Sequence, residues 1–241
     1  MISFKEIALE KVTLPQPDKH GIIIALPEKL SEQNIQRLNK FGALMFLYDF
    51  VQDYFVRPYL HKADPEKHRE ILKNLISPIK HSRVLDTACG TGGAIPHFDS
   101  SNEYTGIDLS YSMLRQAVKK AKNKSFEKSI FIQGTAEELL FDNESFEFVL
   151  MDTALHMIPN YQLAISETGR VLIKSGIFVC ATPAVGISKK FDITWKKIAD
   201  KRNLHSFTQE GIVDVCSRNS LRYHRIDTNG GVLYFQAQKT P

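Results

Sequence analysis

Cysteine is scarce in this chain. The only three are Cys89, Cys180 and Cys216. Their number is odd, their spacings are wide and no CxxC pair occurs, which argues against a disulfide framework and a structural zinc site. A reducing compartment, the cytoplasm, is the expected setting. Long uncharged apolar runs are also missing. The most apolar stretch, 41–60, is broken by Asp49, Asp53 and Arg57, a charge density that rules out a transmembrane span. The first ten residues already carry Lys5, Glu6 and Glu10 and do not read as a signal peptide. There is no internal repeat, no low-complexity tract, and no basic stripe with interleaved aromatics of the kind a nucleic-acid partner requires. The net charge of +4 is spread along the chain. Its densest cluster, Lys119, Lys120, Lys122 and Lys124, suits the solvated face and C-terminal end of a helix.

What is present is ordinary for a globular protein: 241 residues, 43% hydrophobic and 24% charged. Two regions differ in character. Residues 1–80 lack a glycine-rich loop and read as a helical N-terminal extension or lid. A short strand is expected over 21–26. Ser31 caps a long helix reaching about Val56, ahead of Pro58, with Ile35, Leu38, Phe41, Met45 and Tyr48 on one buried face. A second helix starts at Asp64 with Pro65 in its first position and is closed by Pro78. From 81 to 241 short apolar strands alternate with helices. Seven strands are expected near 83–86, 104–108, 130–133, 146–151, 176–181, 221–227 and 232–238, the last two joined by the turn Asn229-Gly230-Gly231. Repeated βα units followed by a hairpin predict an α/β, Rossmann-like, mostly parallel sheet with one antiparallel strand.

The strongest chemical signal is the run from Val84-Leu85-Asp86 through Thr87-Ala88-Cys89-Gly90-Thr91-Gly92-Gly93, a strand entering a glycine-rich turn. In a doubly wound sheet such a turn lies at the switch point where ligands bind. It departs from the dinucleotide fingerprint G-x-G-x-x-G. An acid at Asp86 would repel a pyrophosphate but suits a ligand bearing an ammonium or sulfonium cation, which favours S-adenosylmethionine (SAM) over NAD. The second signal is Asp108, at the end of Gly106-Ile107-Asp108-Leu109-Ser110. A carboxylate about 20 residues beyond the turn is placed to accept hydrogen bonds from ribose hydroxyls; the alternative is a cap on the helix that follows.

Taken together, these blocks resemble the class I SAM-dependent methyltransferases, particularly the broad small-molecule group that includes the quinone-biosynthesis C-methyltransferases. The matching residues continue through Met113-Leu114, then Gly134-Thr135-Ala136-Glu137-Glu138-Leu139, then Arg170-Val171-Leu172-Ile173-Lys174-Ser175-Gly176. The resemblance covers roughly residues 82–240. It implies SAM as cofactor and S-adenosylhomocysteine as product. It puts Ala88, Cys89, Gly90 and Gly92 around the methionine end, with Asp86 near the ammonium group. Asp108 falls on the ribose, Leu109 and Met113 against adenine, and Ala136 and Glu137 at the ring edge, where a solvent-facing loop acid is the other reading of Glu137. Asp152 would approach the sulfonium and the acceptor, or else cap a helix. Alanine at 88, where the family often has glycine, is expected to be tolerated if its backbone angles are ordinary.

Methyl transfer requires proximity and in-line approach, and a base only if the acceptor must lose a proton. His156, just past the fourth long strand, is the first candidate base, with a structural packing role as the alternative. Tyr48, Tyr54 and Trp195 are candidates for the acceptor pocket, or else core aromatics. The apolar surplus of Phe41, Leu44, Phe46, Leu47, Phe50, Tyr54 and Phe55 hints at a hydrophobic or aromatic small molecule, or at a homodimer contact. Other readings are a SAM-binding regulator that transfers no methyl group and a nicotinamide dehydrogenase. Asp152-Thr153-Ala154-Leu155 stands where many adenine and glutamine methylators carry an Asn/Asp-Pro-Pro-Tyr tetrad. No metal is expected.

Overall fold

The computed structural model describes residues 15–40, 48–126 and 128–241. Among them, eight strands form one sheet: β1 (Ile22–Ile24), β2 (Arg83–Thr87), β3 (Glu103–Asp108), β4 (Ser129–Gln133), β5 (Phe146–Asp152), β6 (Leu172–Pro183), β7 (Leu221–Asn229) and β8 (Val232–Lys239). Their order is β1-β4-β3-β2-β5-β6-β8-β7. The first six strands run parallel, and β8 lies antiparallel between β6 and β7. The sheet therefore has one strand more than the seven expected. The 21–26 segment joins it because Ile22 and Ile23 pair with Phe131 and Ile132 and are buried at the edge.

The sheet strands are apolar on both faces, as buried parallel strands must be. Val84, Phe148 and Leu150 pack on one face against Leu72 and Ile76 of α3 (Pro65–Ile76) and Leu114 and Ala117 of α4 (Tyr111–Lys124). Leu85, Val149 and Met151 pack on the other against Ala164 and Ile165 of α5 (Tyr161–Val171) and Ile212 and Cys216 of α7 (Gln209–Arg218). The alternation along each strand is the period-2 rule acting on both sides at once.

The helix starts expected from sequence have physical caps. Asp64 accepts from the amides of Glu66 and Lys67 ahead of α3, and Ser110 accepts from Met113 N at α4. The N-terminal helix differs from expectation. Ser31 Oγ does accept from Asn34 N, starting α1 (Glu32–Lys40), but Ile35 is 46% exposed. Phe41, Leu44, Met45, Phe46 and Leu47 lie outside the described residues. The chain resumes as α2 (Tyr48–Val51), which passes into a π-helical run, Gln52–Leu60, with Pro58 inside it. Pro58 does not end the helix because the wider turn removes the clash between its ring and the carbonyl four residues earlier. One helix was not foreseen, α6 (Lys189–Arg202). Among the described residues no helix is long and apolar enough to cross a membrane.

Candidate active site

The chain order turns at the middle of the sheet, where β2 is flanked by β3 on one side and β5 on the other. The carboxyl ends of these strands open a crevice of the kind that binds ligands in doubly wound sheets. Two residues just past those ends hold left-handed backbone angles: Ala88 at φ 55° after β2 and Thr153 at φ 55° after β5. The condition of ordinary angles for an alanine at 88 is thus not met, and a β-branched residue at positive φ is a still rarer conformation.

Two cavities meet at this crevice, sharing Tyr48, Ala88, Gly90, Asp152 and Thr153 as walls. The narrower, of about 110 Å³, is lined by Leu109, Met113, Ala136, Glu137 and Asp108, with Asn34 of α1 beside Glu137. The wider, of about 320 Å³, runs toward α3 and the π-helical run and is lined mostly by ionisable side chains.

Asp108 is fixed at the boundary by two backbone donors: Gly90 N–H at 2.8 Å to one carboxylate oxygen and Ser110 N–H at 2.7 Å to the other. Burial pushes its pKa up to about 6, opposed by those two hydrogen bonds. It is not the cap of α4, a role Ser110 takes. Gly90, at φ 55°, turns its bare Cα toward the Met113 sulfur, where a Cβ would stand 3.6 Å away. Gly92 behaves differently. A Cβ there would meet Ile95 Cδ1 at 2.5 Å and Ala117 at 3.1 Å, so this glycine serves the packing of the turn on α4, and it lines neither cavity. Cys89 is buried in the core beside Gly106 and reaches the wider cavity only.

Asp86 is fully enclosed and accepts from the Tyr104 hydroxyl at 2.7 Å. Burial raises its pKa to about 8, opposed by the Tyr104 bond and aided by Asp152 and Asp108, so the free protein holds it protonated at neutral pH. Asp152 goes the other way. Burial works to raise its pKa, but His68, Arg57 and the Thr153 hydroxyl outweigh it and hold the carboxyl well below the usual range. Its Oδ2 lies 3.3 Å from His68 Nε2 and 3.9 Å from Arg57, and its Oδ1 accepts from Thr153 Oγ1 at 2.7 Å. It faces both cavities. The short 3₁₀ turn that follows begins at Ala154, so Asp152 caps no helix.

Glu137 is half-buried rather than solvent-facing. It accepts from Asn34 Nδ2 at 2.6 Å, Thr135 Oγ1 at 3.0 Å and Asn160 N at 2.7 Å, tying α1 and the start of α5 to the rim of the narrow cavity. Tyr48 hangs over both cavities with its pKa pushed up to about 12 by burial.

Three candidates lie elsewhere. His156 is buried edge-on to Trp195 and His61, with ring centroids 5.4 and 5.9 Å away, and lines neither cavity. Trp195 is wholly buried and stacked on Phe191. Tyr54 is 62% exposed, stacked on Phe50 outside the crevice. A histidine after the fourth long strand turns into the core because the chain enters a 3₁₀ turn under α6. The imidazole that does reach the cavity is His68 of α3, held by Tyr234 Oη at 2.7 Å on its far nitrogen. Residues 64–76 gave no sequence signal for it beyond a histidine on the apolar face of a capped helix. Among the described residues no His, Cys, Asp and Glu cluster suits a metal ion.

Within this Rossmann-like fold, which carries the crevice, the turn and the buried carboxylate, residues 85–180 match the family described as "Methyltransferase domain". Among curated relatives, the chain is 35% identical over 122 residues to a demethylmenaquinone methyltransferase of Staphylococcus aureus, covering 48% of this chain and 50% of that protein. The match thus spans about half the length of the curated relatives. Among solved structures, the phosphoethanolamine N-methyltransferase 2 of Haemonchus contortus in complex with SAM superposes with a TM-score of 0.67 at 16% identity, covering 89% of this chain and 61% of that one. The geranyl diphosphate C-methyltransferase of Streptomyces coelicolor, bound to Mg²⁺, geranyl diphosphate and S-adenosylhomocysteine, does so with a TM-score of 0.64 at 14% identity, covering 89% and 100%.

Proposed function

We propose that this chain binds SAM and transfers its methyl group to a small-molecule acceptor. The observation that carries this reading is Asp108, a desolvated carboxylate fixed by two backbone amides at the rim of an apolar cleft, 18 residues past Gly90. The residues present fit the cofactor. Leu109, Met113 and Ala136 offer apolar walls for an adenine ring, Asp108 offers acceptor lone pairs for a ribose diol, and the open face of Gly90 admits a ligand close to the main chain. When bound, SAM supplies an electrophilic methyl group and leaves as S-adenosylhomocysteine. Asp152, kept ionised, sets a negative charge where the two cavities join, which favours a cation there. His156, sealed against Trp195, keeps a packing role. His68 is the imidazole that faces the cavity, and with Tyr234 on its Nδ1 and Asp152 and Arg57 on its Nε2 it serves to position the Asp152 carboxylate.

The elements before β2 form a cover. Asn34 and Tyr48 roof the narrow cavity, and Asp49, Gln52 and Arg57 line the wide one. Of the apolar surplus that suggested a hydrophobic acceptor, Phe50, Tyr54 and Phe55 are 51%, 62% and 55% exposed and line neither cavity, while Phe41, Leu44, Phe46 and Leu47 lie outside the described residues. Three buried free thiols fit a cytoplasmic setting. Calorimetry with SAM, S-adenosylhomocysteine and NAD tests the assignment. SAM and its product bind, NAD does not, and Asp108→Ala weakens both adenosyl ligands by about 1–3 kcal/mol through loss of charge-assisted hydrogen bonds. Absence of binding by either adenosyl ligand sinks the proposal.

A further inference from the structure

The wide cavity has a composition that the cofactor reading does not use. Its part beside Asp86, Ala88 and Gly90 adjoins the turn, but the remainder extends to the π-helical run, α3 and α4. Three permanent cations converge there from three elements: Arg57, Arg69 and Lys120. In the free protein they are occupied by carboxylates of the same wall, and Arg69 also by Glu66 outside it. Arg57 donates to Asp53 at 2.6 Å, Arg69 to Asp53 at 2.7 Å, and Lys120 to Asp49 at 2.6 Å.

These pairs are not equal partners. The Arg57 side chain is 14% exposed, whereas Asp53 is 32% and Asp49 is 49% exposed. Exposed ion pairs are worth little, so Asp49 is released to water at small cost, and Asp53, half-buried and shared by the two arginines, at a larger one. Arg57 is not released as readily, because it is anchored between Asp53 and His68, 3.1 Å from its Nη2, whereas Arg69, 38% exposed, also pairs with the exposed Glu66. Its buried Nε has no hydrogen-bond partner, a donor whose desolvation is uncompensated. An apolar tail entering here would strip water from all these groups and return nothing. An anion of small size would exchange with Asp49 and Asp53 and leave every cation paired.

We propose that the methyl acceptor is a compact molecule carrying an anionic group, a carboxylate or a phosphate, which docks on Arg57, Arg69 and Lys120 in the wide cavity. This rests on the methyltransferase reading above and names its substrate class. The same cations would also suit the α-carboxylate of the cofactor's methionine end, and the test separates the two.

The test is titration of S-adenosylhomocysteine first, and then of inorganic phosphate and 4-hydroxybenzoate into the protein saturated with it, by calorimetry. The proteins are wild type, Arg69→Met, Lys120→Met and Asp49→Asn. The substituted side chains are partly exposed, so folding is retained, which circular dichroism checks. At least one anion binds the saturated wild type. Its affinity falls about tenfold in Arg69→Met and Lys120→Met and rises several-fold in Asp49→Asn, which frees Lys120, while the affinity for S-adenosylhomocysteine stays unchanged. Three results overturn the proposal: no anion bound by the saturated protein, anion affinity indifferent to the substitutions, or the loss appearing in S-adenosylhomocysteine binding, which would assign the cations to the cofactor. Failure of S-adenosylhomocysteine to bind the wild type is a different result and removes the methyltransferase reading itself.

Discussion

Ala88 is the residue at which sequence reasoning and structure part most clearly. The turn was legible from its glycines, and alanine in place of one of them looked harmless. The structure gives it φ 55°, a conformation in which Cβ crowds the backbone and which costs an L-residue about 1–2 kcal/mol. Thr153 across the crevice shares the same angle. A backbone angle leaves no mark on side-chain pattern, so neither residue could be seen as strained beforehand. Ala88→Gly is expected to raise unfolding free energy by about 1 kcal/mol, measured by urea denaturation at neutral pH, because glycine adopts this angle without the clash. A destabilised variant would show that the Ala88 methyl group contributes more by contact than it costs by strain. The positions of Asp108 and Gly90, by contrast, were legible because they depend on spacing along a strand–turn–strand unit, which the sequence states directly. Which histidine reaches the crevice was not legible. His156 and His68 are both histidines beside apolar residues, and only the tertiary path of the chain decides that the first faces Trp195 and the second Asp152.

At the scale of elements, the sheet was read well because buried parallel strands are short runs with an apolar centre between turn residues, as in β2, β4 and β5. The hairpin of β7 and β8 followed from Asn229-Gly230-Gly231. Helix α6 was missed although Phe191, Trp195 and Ala199 recur at intervals of four, a stripe that the structure buries completely. Expecting these aromatics in a pocket hid that they form one face of a helix. Helix α1 was read as part of one long helix with a buried apolar face, yet its firmest attachment is polar, Asn34 to Glu137. Removing a hydrogen bond to a charged acceptor costs about 1.5–3 kcal/mol when the acceptor is buried, less when a second donor remains, as Thr135 does here. Asn34→Ala is therefore expected to lower stability by about 1 kcal/mol. Asn34→Asp costs more at pH 8, since it sets two carboxylates together, and approaches the alanine variant as pH falls and one of them protonates. Urea midpoints at pH 8 and pH 4.5 check this. Equal losses in both variants at both values would mean that α1 is not held through Glu137.

For the whole molecule, the crevice carries an electrostatic burden that sets how stability responds to pH. Asp86 and Asp108 have folded pKa values of about 8 and about 6, both raised by burial above the ordinary 3.8. Between the unfolded and folded values the folded chain holds protons that the unfolded chain has lost. Stability from these two groups is thus full below about pH 4 and declines as pH rises, through 6 for Asp108 and through 8 for Asp86. Asp152 has the opposite sign. Its folded pKa is depressed, so its contribution is present above the ordinary carboxylate range and is lost as pH falls below it. The two trends leave a maximum on the acid side of neutrality, and a decline from there to pH 8 with a slope of up to about 1.4 kcal/mol per pH unit for each proton involved. Asp86→Asn keeps an oxygen for the Tyr104 hydroxyl and removes the titrating group. It is expected to be more stable than the wild type at pH 8, to converge with it near pH 4, and to flatten the decline between pH 6 and 8. Chemical denaturation across that range reads the slope directly. The same substitution links stability to the proposed function. A cation arriving beside Asp86 would favour its ionised form, so SAM binding should release a proton near neutral pH. Calorimetry in buffers of different ionisation enthalpy would detect that release in the wild type, with the Asp86 share missing in Asp86→Asn. A wild type whose stability rises steadily from pH 5 to 8 would mean that Asp86 is ionised in the free protein and that its carboxylate is preformed for the cofactor.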